Sequence, residues 1–148
     1  MVECVFRHDG TLDKFMGDSI MAEWGAPIST ESDADRAMSA AIEMMRDLET
    51  LNASWRASGR PELQIGIGLN YGEAFAGTIG SERRLEFTVI GDTVNTAHRL
   101  CSAAEAGEIL ITDDFRRALR EPPKLVECPP MVLKNKANSV SVYRVIAE

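Results

Sequence analysis

Along the chain, apolar and polar positions change rhythm several times, and each change marks an element. TLDKFMGDSIMAEW alternates on both sides of Gly17-Asp18, the pattern of strand, tight turn and strand. From Ser32 the rhythm becomes helical. Ala37, Ala41, Met44, Met45, Leu48, Leu51 and Trp55 recur every three or four residues until Gly59 and Pro61 stop the run. Ser32 and Asp35 stand as a capping pair at its start. LQIGIGLNYGEAFAGTIG predicts two strands around a turn at Asn70 to Glu73, and RLEFTVIGD a further strand. Asp92 then caps a helix from Thr93 to about Ala104, ended by Gly107. GEILITDDF reads as a strand running into a short helix, and LVECPPMVLKNKANSVSVYRVIA as a closing hairpin. Strands and helices mix without strict βαβ alternation, so the expected class is α+β, a sheet with helices on its outer face.

Composition narrows the function. A chain of 148 residues suits one domain. Sixteen Lys and Arg against 23 Asp and Glu leave a net charge of −7. That balance lacks the electrostatic footprint of a general nucleic-acid binder, so no nucleic-acid partner is expected. Any polyanion it binds must meet a few local cations. Cys4, Cys101 and Cys128 are far apart and lack zinc-site spacing, which fits reduced thiols. The opening lacks the apolar core of a signal peptide, and no apolar run approaches the ~20 residues of a membrane span. A cytoplasmic domain is expected, at the cytosolic face if a parent protein is membrane-anchored.

Several residues carry candidate chemistry. Gly66-x-Gly68-x-x-x-Gly72 lacks the spacing of a dinucleotide fingerprint and is expected within a strand, where it marks close backbone approach inside the sheet. The Met and Ala stripe is core packing. Asp18, on a rigid hairpin four residues after Lys14, suits a hard divalent cation beside a phosphate, or simple turn chemistry. Asn95 and Arg99 share a helix face at i and i+4, an arrangement that suits a ribose and a developing phosphate charge, or a solvated face. Lys134, in the last hairpin, either reaches a triphosphate or serves solubility. His8 and His98 have no partner spacing and carry no mechanism.

Together, GTLDKFMGDSIMAEWGAP, DADRAMSAA, IGIGLNYGEAFAGTIGSERRLEFTVIGDTVNTAHRL, GEILITDDF and VLKNKANSVSVYRV resemble the class III nucleotidyl cyclases. They run in family order, and TVIGDTVNTAHRL is the most specific of them. The resemblance implies a ferredoxin-like, βαββαβ-type antiparallel sheet with helices on one face. It implies adenylate cyclase chemistry, ATP giving 3′,5′-cyclic AMP and pyrophosphate, with two Mg²⁺ or Mn²⁺ ions per site. Asp18 matches the second of two metal-binding aspartates. Lys14 matches a purine-reading position where lysine goes with adenine, and Thr88 matches the second such position. Asn95 is implied to orient the ribose, and Arg99 to stabilise charge on the α-phosphate. Lys134 matches a lysine that contacts the terminal phosphates, although Asn135 stands where the family usually has Gly. The implied assembly is a head-to-tail homodimer, with metal aspartates from one chain and the other residues from its partner. A regulatory or sensor domain in a longer parent protein also fits the family.

One departure is large. The family's opening strand, F-x-D-(I/L)-x-G-F-(T/S), supplies the first metal aspartate, and nothing in these 148 residues matches it. MVECVFRHDGTLDKF reads as the tail of the following helix leading into the second strand, so the single domain is expected to be incomplete at its N-terminus. Turnover by the chain as it stands is then expected to be weak or absent. The alternatives are a catalytically silent nucleotide-binding or dimerisation module, and a guanylate cyclase. The presence of Lys14, Asp18, Asn95 and Arg99 argues against the first, and Lys14 against the second.

Overall fold

The fold is taken from a computed structural model that describes residues 1–132 and 139–146. A short helix α1 (Val2–Arg7) leads into the hairpin β1 (Thr11–Met16) and β2 (Ser19–Glu23). The long helix α2 (Asp33–Ala57) follows, then β3 (Ile67–Leu69), the hairpin β4 (Phe75–Ser81) and β5 (Arg84–Ile90), and α3 (Asp92–Ala103). The chain continues with β6 (Ile109–Thr112), α4 (Asp113–Ala118), β7 (Leu125–Met131) and β8 (Val140–Val145). The strands form one four-stranded sheet in the order β3-β6-β8-β7 and two separate hairpin sheets. All pairings are antiparallel except β3 with β6. The α+β class therefore holds. The two strands expected around residues 70–73 exist, but they part into different sheets.

Alternation within the central strands explains how the layers stack. Ile109 and Ile111 of β6 join Ala34, Ala37, Met38 and Ala41 of α2 and Phe115 of α4 in the main core. Leu110, between them, points the other way and packs with Leu100 of α3 and Val142 of β8. The class stands, but α3 thus covers the face opposite α2 and α4, where the sequence reading puts the helices on one face. Strand β3 follows the same rule. Ile67 and Leu69 pack toward the main core, while a Cβ on Gly66 or Gly68 would meet α3. On Gly68 it would stand 2.4 Å from the Cys101 amide nitrogen and 2.6 Å from the Ala97 carbonyl oxygen. The close approach is therefore made against a helix and not inside the sheet as the sequence predicts, and only Gly68 of the three glycines lies within β3.

The helix ends differ from expectation in instructive ways. Ser32 is the N-cap residue of α2 but makes no side-chain cap hydrogen bond. Asp33 does the local work, accepting from the Ser29 and Thr30 hydroxyls, the Thr30 amide and Arg36. Asp35 instead accepts from the Arg120 and Glu121 amides and ties α2 to the loop after α4. Asp92 lies inside the first turn of α3, whose N-cap is Gly91. Of the α2 stripe, Ala37, Ala41, Met44 and Leu48 are buried while Leu51 is exposed. Buried Asn52 closes that end by pairing its amide with both backbone groups of Leu63. All three cysteines are free thiols, and no helix among the described residues is long and apolar enough to cross a membrane.

The α3–β3 contact leaves no room for a methyl group. Gly68→Ala is expected to destabilise the fold by about 1–3 kcal/mol through overpacking. Gly77→Ala, whose Cβ would meet only the Phe75 ring at 3.3 Å, is expected to change stability far less. Urea unfolding of the two variants beside the parent chain measures the difference.

Candidate active site

The β1–β2 hairpin is the first half of the site. Gly17 takes the left-handed conformation at φ 61°, which lets a two-residue turn present Asp18 to solvent. Further down, the register slips: Leu12 pairs with Ala22 but Lys14 pairs with Met21, leaving Asp13 as the extra residue of a bulge. A bulge re-aims side chains. Here it turns Asp13 inward until its side chain is only 1% exposed, while Lys14 stays 41% exposed with its Nζ 3.6 Å from Asp13 Oδ1.

Asp13 is the hub of a buried polar cluster. The Thr88 hydroxyl donates to both of its carboxylate oxygens, at 2.9 Å each, and the Val89 amide donates to Oδ2 at 3.3 Å. Thr88 keeps 5% of its surface exposed, and its bond to Asp13, which is more deeply buried, joins β1 to β5. Lys14 and Thr88, paired in the sequence reading as the purine-contacting residues, are thus brought together through Asp13.

Glu23, at the far end of β2, buries both carboxyl oxygens where no donor reaches them if it is ionised. Burial pushes its pKa up to about 8, helped by a hydrogen bond to Asp13 and by that residue's charge, with Lys14 opposing. A protonated Glu23 resolves the geometry, because its O–H then becomes a donor to Asp13.

Helix α3 is the second half. Its first turn is held by Asn70, whose amide donates to the Thr93 carbonyl at 3.0 Å while its Oδ1 accepts from the Thr112 hydroxyl at 2.6 Å. Asn70 therefore fixes the start of α3 to the ends of β3 and β6. On the helix above, Asn95 is exposed and Arg99 half-buried. Among the described residues neither side chain is tied by a hydrogen bond or ion pair, so both remain available to a ligand. The expected i, i+4 relation holds, since both positions lie within the regular helix. Lys134 lies outside the described residues.

A model of the adenylate and guanylate cyclase catalytic domain matches residues 6–145. The chain belongs to this cyclase family. It is 33% identical to adenylate cyclase 1 of Rhizobium meliloti over 97% of its own length and 22% of that protein's. It is 37% identical to an uncharacterised protein of Mycobacterium tuberculosis over 82% of its length, again 22% of that protein's. The chain thus spans about a fifth of the curated relatives it matches. Among solved structures, the adenylyl cyclase CyaB from P. aeruginosa superposes with a TM-score of 0.91 at 32% identity, covering 99% of this chain and 76% of that one. The guanylyl cyclase Cya2 superposes at 0.86 with 33% identity, covering 97% and 73%.

A cyclase domain implies divalent cations, and the donor chemistry can be tested against the fold. Asp18 is an exposed carboxylate on a rigid turn, a fit for one oxygen ligand of a hard cation. It leaves the rest of the shell to phosphate, water or further carboxylates. The described residues also gather Cys4 of α1 with Glu43 and Asp47 of α2, but Arg7 donates to all three. A guanidinium already stands where a cation would.

Sequence reasoning missed Asp13, Glu23 and Asn70 in this site. Asp13 and Glu23 stand in an alternating strand pattern that assigns their side chains by parity, and a bulge breaks parity without a sequence mark. His8, read as lacking a partner, lies 2.6 Å from Glu43 Oε2, away from the site.

The Glu23 proton has a consequence for stability. An acid whose pKa rises on folding, here from 4.5 to about 8, binds more protons folded than unfolded between those values. Its contribution is full below that window and declines as pH rises through it. Raising the pH from about 5 to about 8 is expected to cost on the order of 1–2 kcal/mol through this group, allowing for solvent at the half-buried site. Glu23→Gln is expected to flatten the dependence. Melting curves across that range for both chains check it.

Proposed function

We propose that this cyclase domain is an adenylate cyclase, converting ATP to 3′,5′-cyclic AMP and pyrophosphate. The observation that supports the adenine reading best is the pairing of Lys14 and Thr88 through Asp13, because a lysine donor beside a threonine hydroxyl complements the adenine edge. Asn95 orients the ribose, so that its 3′-hydroxyl faces the α-phosphorus. Arg99, from the next turn of the same helix, meets the charge that grows on the α-phosphate as the new P–O bond forms and pyrophosphate leaves. Lys134 is assigned to the terminal phosphates. Asp18 would hold a Mg²⁺ or Mn²⁺ ion, which when bound supplies charge neutralisation for the triphosphate. A cytoplasmic setting, with its ATP supply and reduced thiols, suits this reading.

The site is shared between two chains in a head-to-tail homodimer. Phe75, Leu85, Phe87 and Ile90 are all exposed on the β4–β5 hairpin. An apolar ribbon of that kind is a surface suited to a second copy. Each chain supplies Asp18 to one site and Lys14, Thr88, Asn95 and Arg99 to the other.

Nucleotide preference is the direct test. ATP and GTP are titrated in parallel, under Mn²⁺, against a fluorescent adenine nucleotide bound to the chain. ATP is expected to displace it at about tenfold lower concentration or better, and Lys14→Glu to reverse the order. Equal displacement, or a preference unmoved by Lys14→Glu, overturns the adenine assignment.

Turnover is measured in a version that also carries the family's F-x-D strand. Cyclic AMP from ATP and none from GTP is expected, and Arg99→Ala should lower kcat about 10²–10³-fold. Mixing Asp18→Ala with Asn95→Ala chains should restore one intact site per heterodimer. Confirmed mixing without recovery rules out the shared site.

A further inference from the structure

The Asp13 cluster carries more than a link between strands. A threonine hydroxyl has one hydrogen and two lone pairs, so alone it can serve as donor or acceptor. Such a group discriminates poorly between adenine, which presents an amine at position 6, and guanine, which presents a carbonyl there. In this chain the hydroxyl is not free to choose. Both Asp13 oxygens lie 2.9 Å from Thr88 Oγ1, and a carboxylate can only accept.

We propose that Asp13 is a positioning residue for purine selection, holding the Thr88 hydroxyl hydrogen so that its oxygen meets the base only as an acceptor. This deepens the adenine reading of Lys14 and Thr88 and rests on it. With its hydrogen committed, Thr88 accepts from the adenine amine and turns a lone pair toward the guanine carbonyl. Lys14, a donor with no acceptor, completes the pattern by matching the unprotonated ring nitrogen of adenine. Two residues then read two atoms of one edge, and Asp13 sets the polarity of one of them.

Three features support the assignment. The bulge exists at Asp13 and turns this carboxylate inward. Its side chain is 1% exposed, so water does not compete for the Thr88 hydrogen. Two further neighbours are also donors: the Val89 amide at 3.3 Å and Lys14 Nζ at 3.6 Å. The groups around Asp13 thus offer it hydrogens and ask for none.

Asp13→Asn is the test. Its amide can donate to Thr88 Oγ1, which frees the hydroxyl hydrogen to point at the base. Nucleotide displacement with ATP and GTP is run on the parent chain and the variant. The ATP-over-GTP ratio is expected to fall about tenfold in Asp13→Asn, with GTP gaining in absolute terms. A merely structural role weakens both nucleotides together and leaves the ratio unchanged, which overturns the proposal. Thr88→Ser, which keeps the hydroxyl, should retain the ratio. In Thr88→Val, adding Asp13→Asn should move it no further.

A parent chain that binds ATP and GTP alike overturns the adenine reading and this inference with it. A parental preference that survives Asp13→Asn overturns the inference alone. Should Asp13→Asn fail to fold, the parent chain decides by proton NMR. The Thr88 hydroxyl hydrogen should be visible and protected from exchange, and exchange as fast as that of an exposed threonine defeats the proposal.

Discussion

The contact between α3 and β3 is the constraint on which the site depends. Gly66 and Gly68 bring the helix backbone against the strand, closer than any Cβ allows. A helix held at that distance cannot roll without striking the strand, so the direction in which Asn95 and Arg99 project is fixed by backbone geometry. Asn70 adds a second point of attachment at the helix start. One face of β3 is therefore spent on positioning, while Ile67 and Leu69 on the other face serve the core. Positioning and packing are divided by the parity of a single three-residue strand.

The polar cluster around Asp13 does for the hairpins what the glycines do for the helix. Among the described residues the β1–β2 and β4–β5 sheets share no ladder with each other or with the central sheet, so the hydrogen bonds to the Asp13 side chain are what tie the two hairpins. Thr88 and Val89 bind Asp13 from β5. Glu23 approaches from the strand paired with its own. Burying two acids side by side is costly unless one stays neutral, and the raised pKa of Glu23 meets that condition. The cluster is a junction built at some expense in stability, which is common where placement matters more than strength.

Elements were legible where local chemistry dictates them. The Gly17-Asp18 turn, the α2 stripe and the closing hairpin all follow from periodicity and from residues that terminate it. Gly68 of β3 was readable as a close approach, but not that the approaching backbone belongs to a helix. What the pattern could not show was partnership over distance. Asp35 looks like a capping residue but bonds to amides 85 and 86 positions away. Asn95 and Arg99 were visible as a helical pair. Asp13 and Glu23 were not, since their roles depend on a register slip and on a strand 75 residues further on. Nor does periodicity tell which face of a sheet a helix covers, and α3 lies on the face the reading left empty.

Strand β5 runs from one environment to another. Leu85 and Phe87 stand in the open, and Thr88 and Val89 immediately after them are buried. In seven residues the same strand is both handle and blade. Any molecule that presses on Leu85 and Phe87 therefore presses on a strand whose next two residues are tied to Asp13.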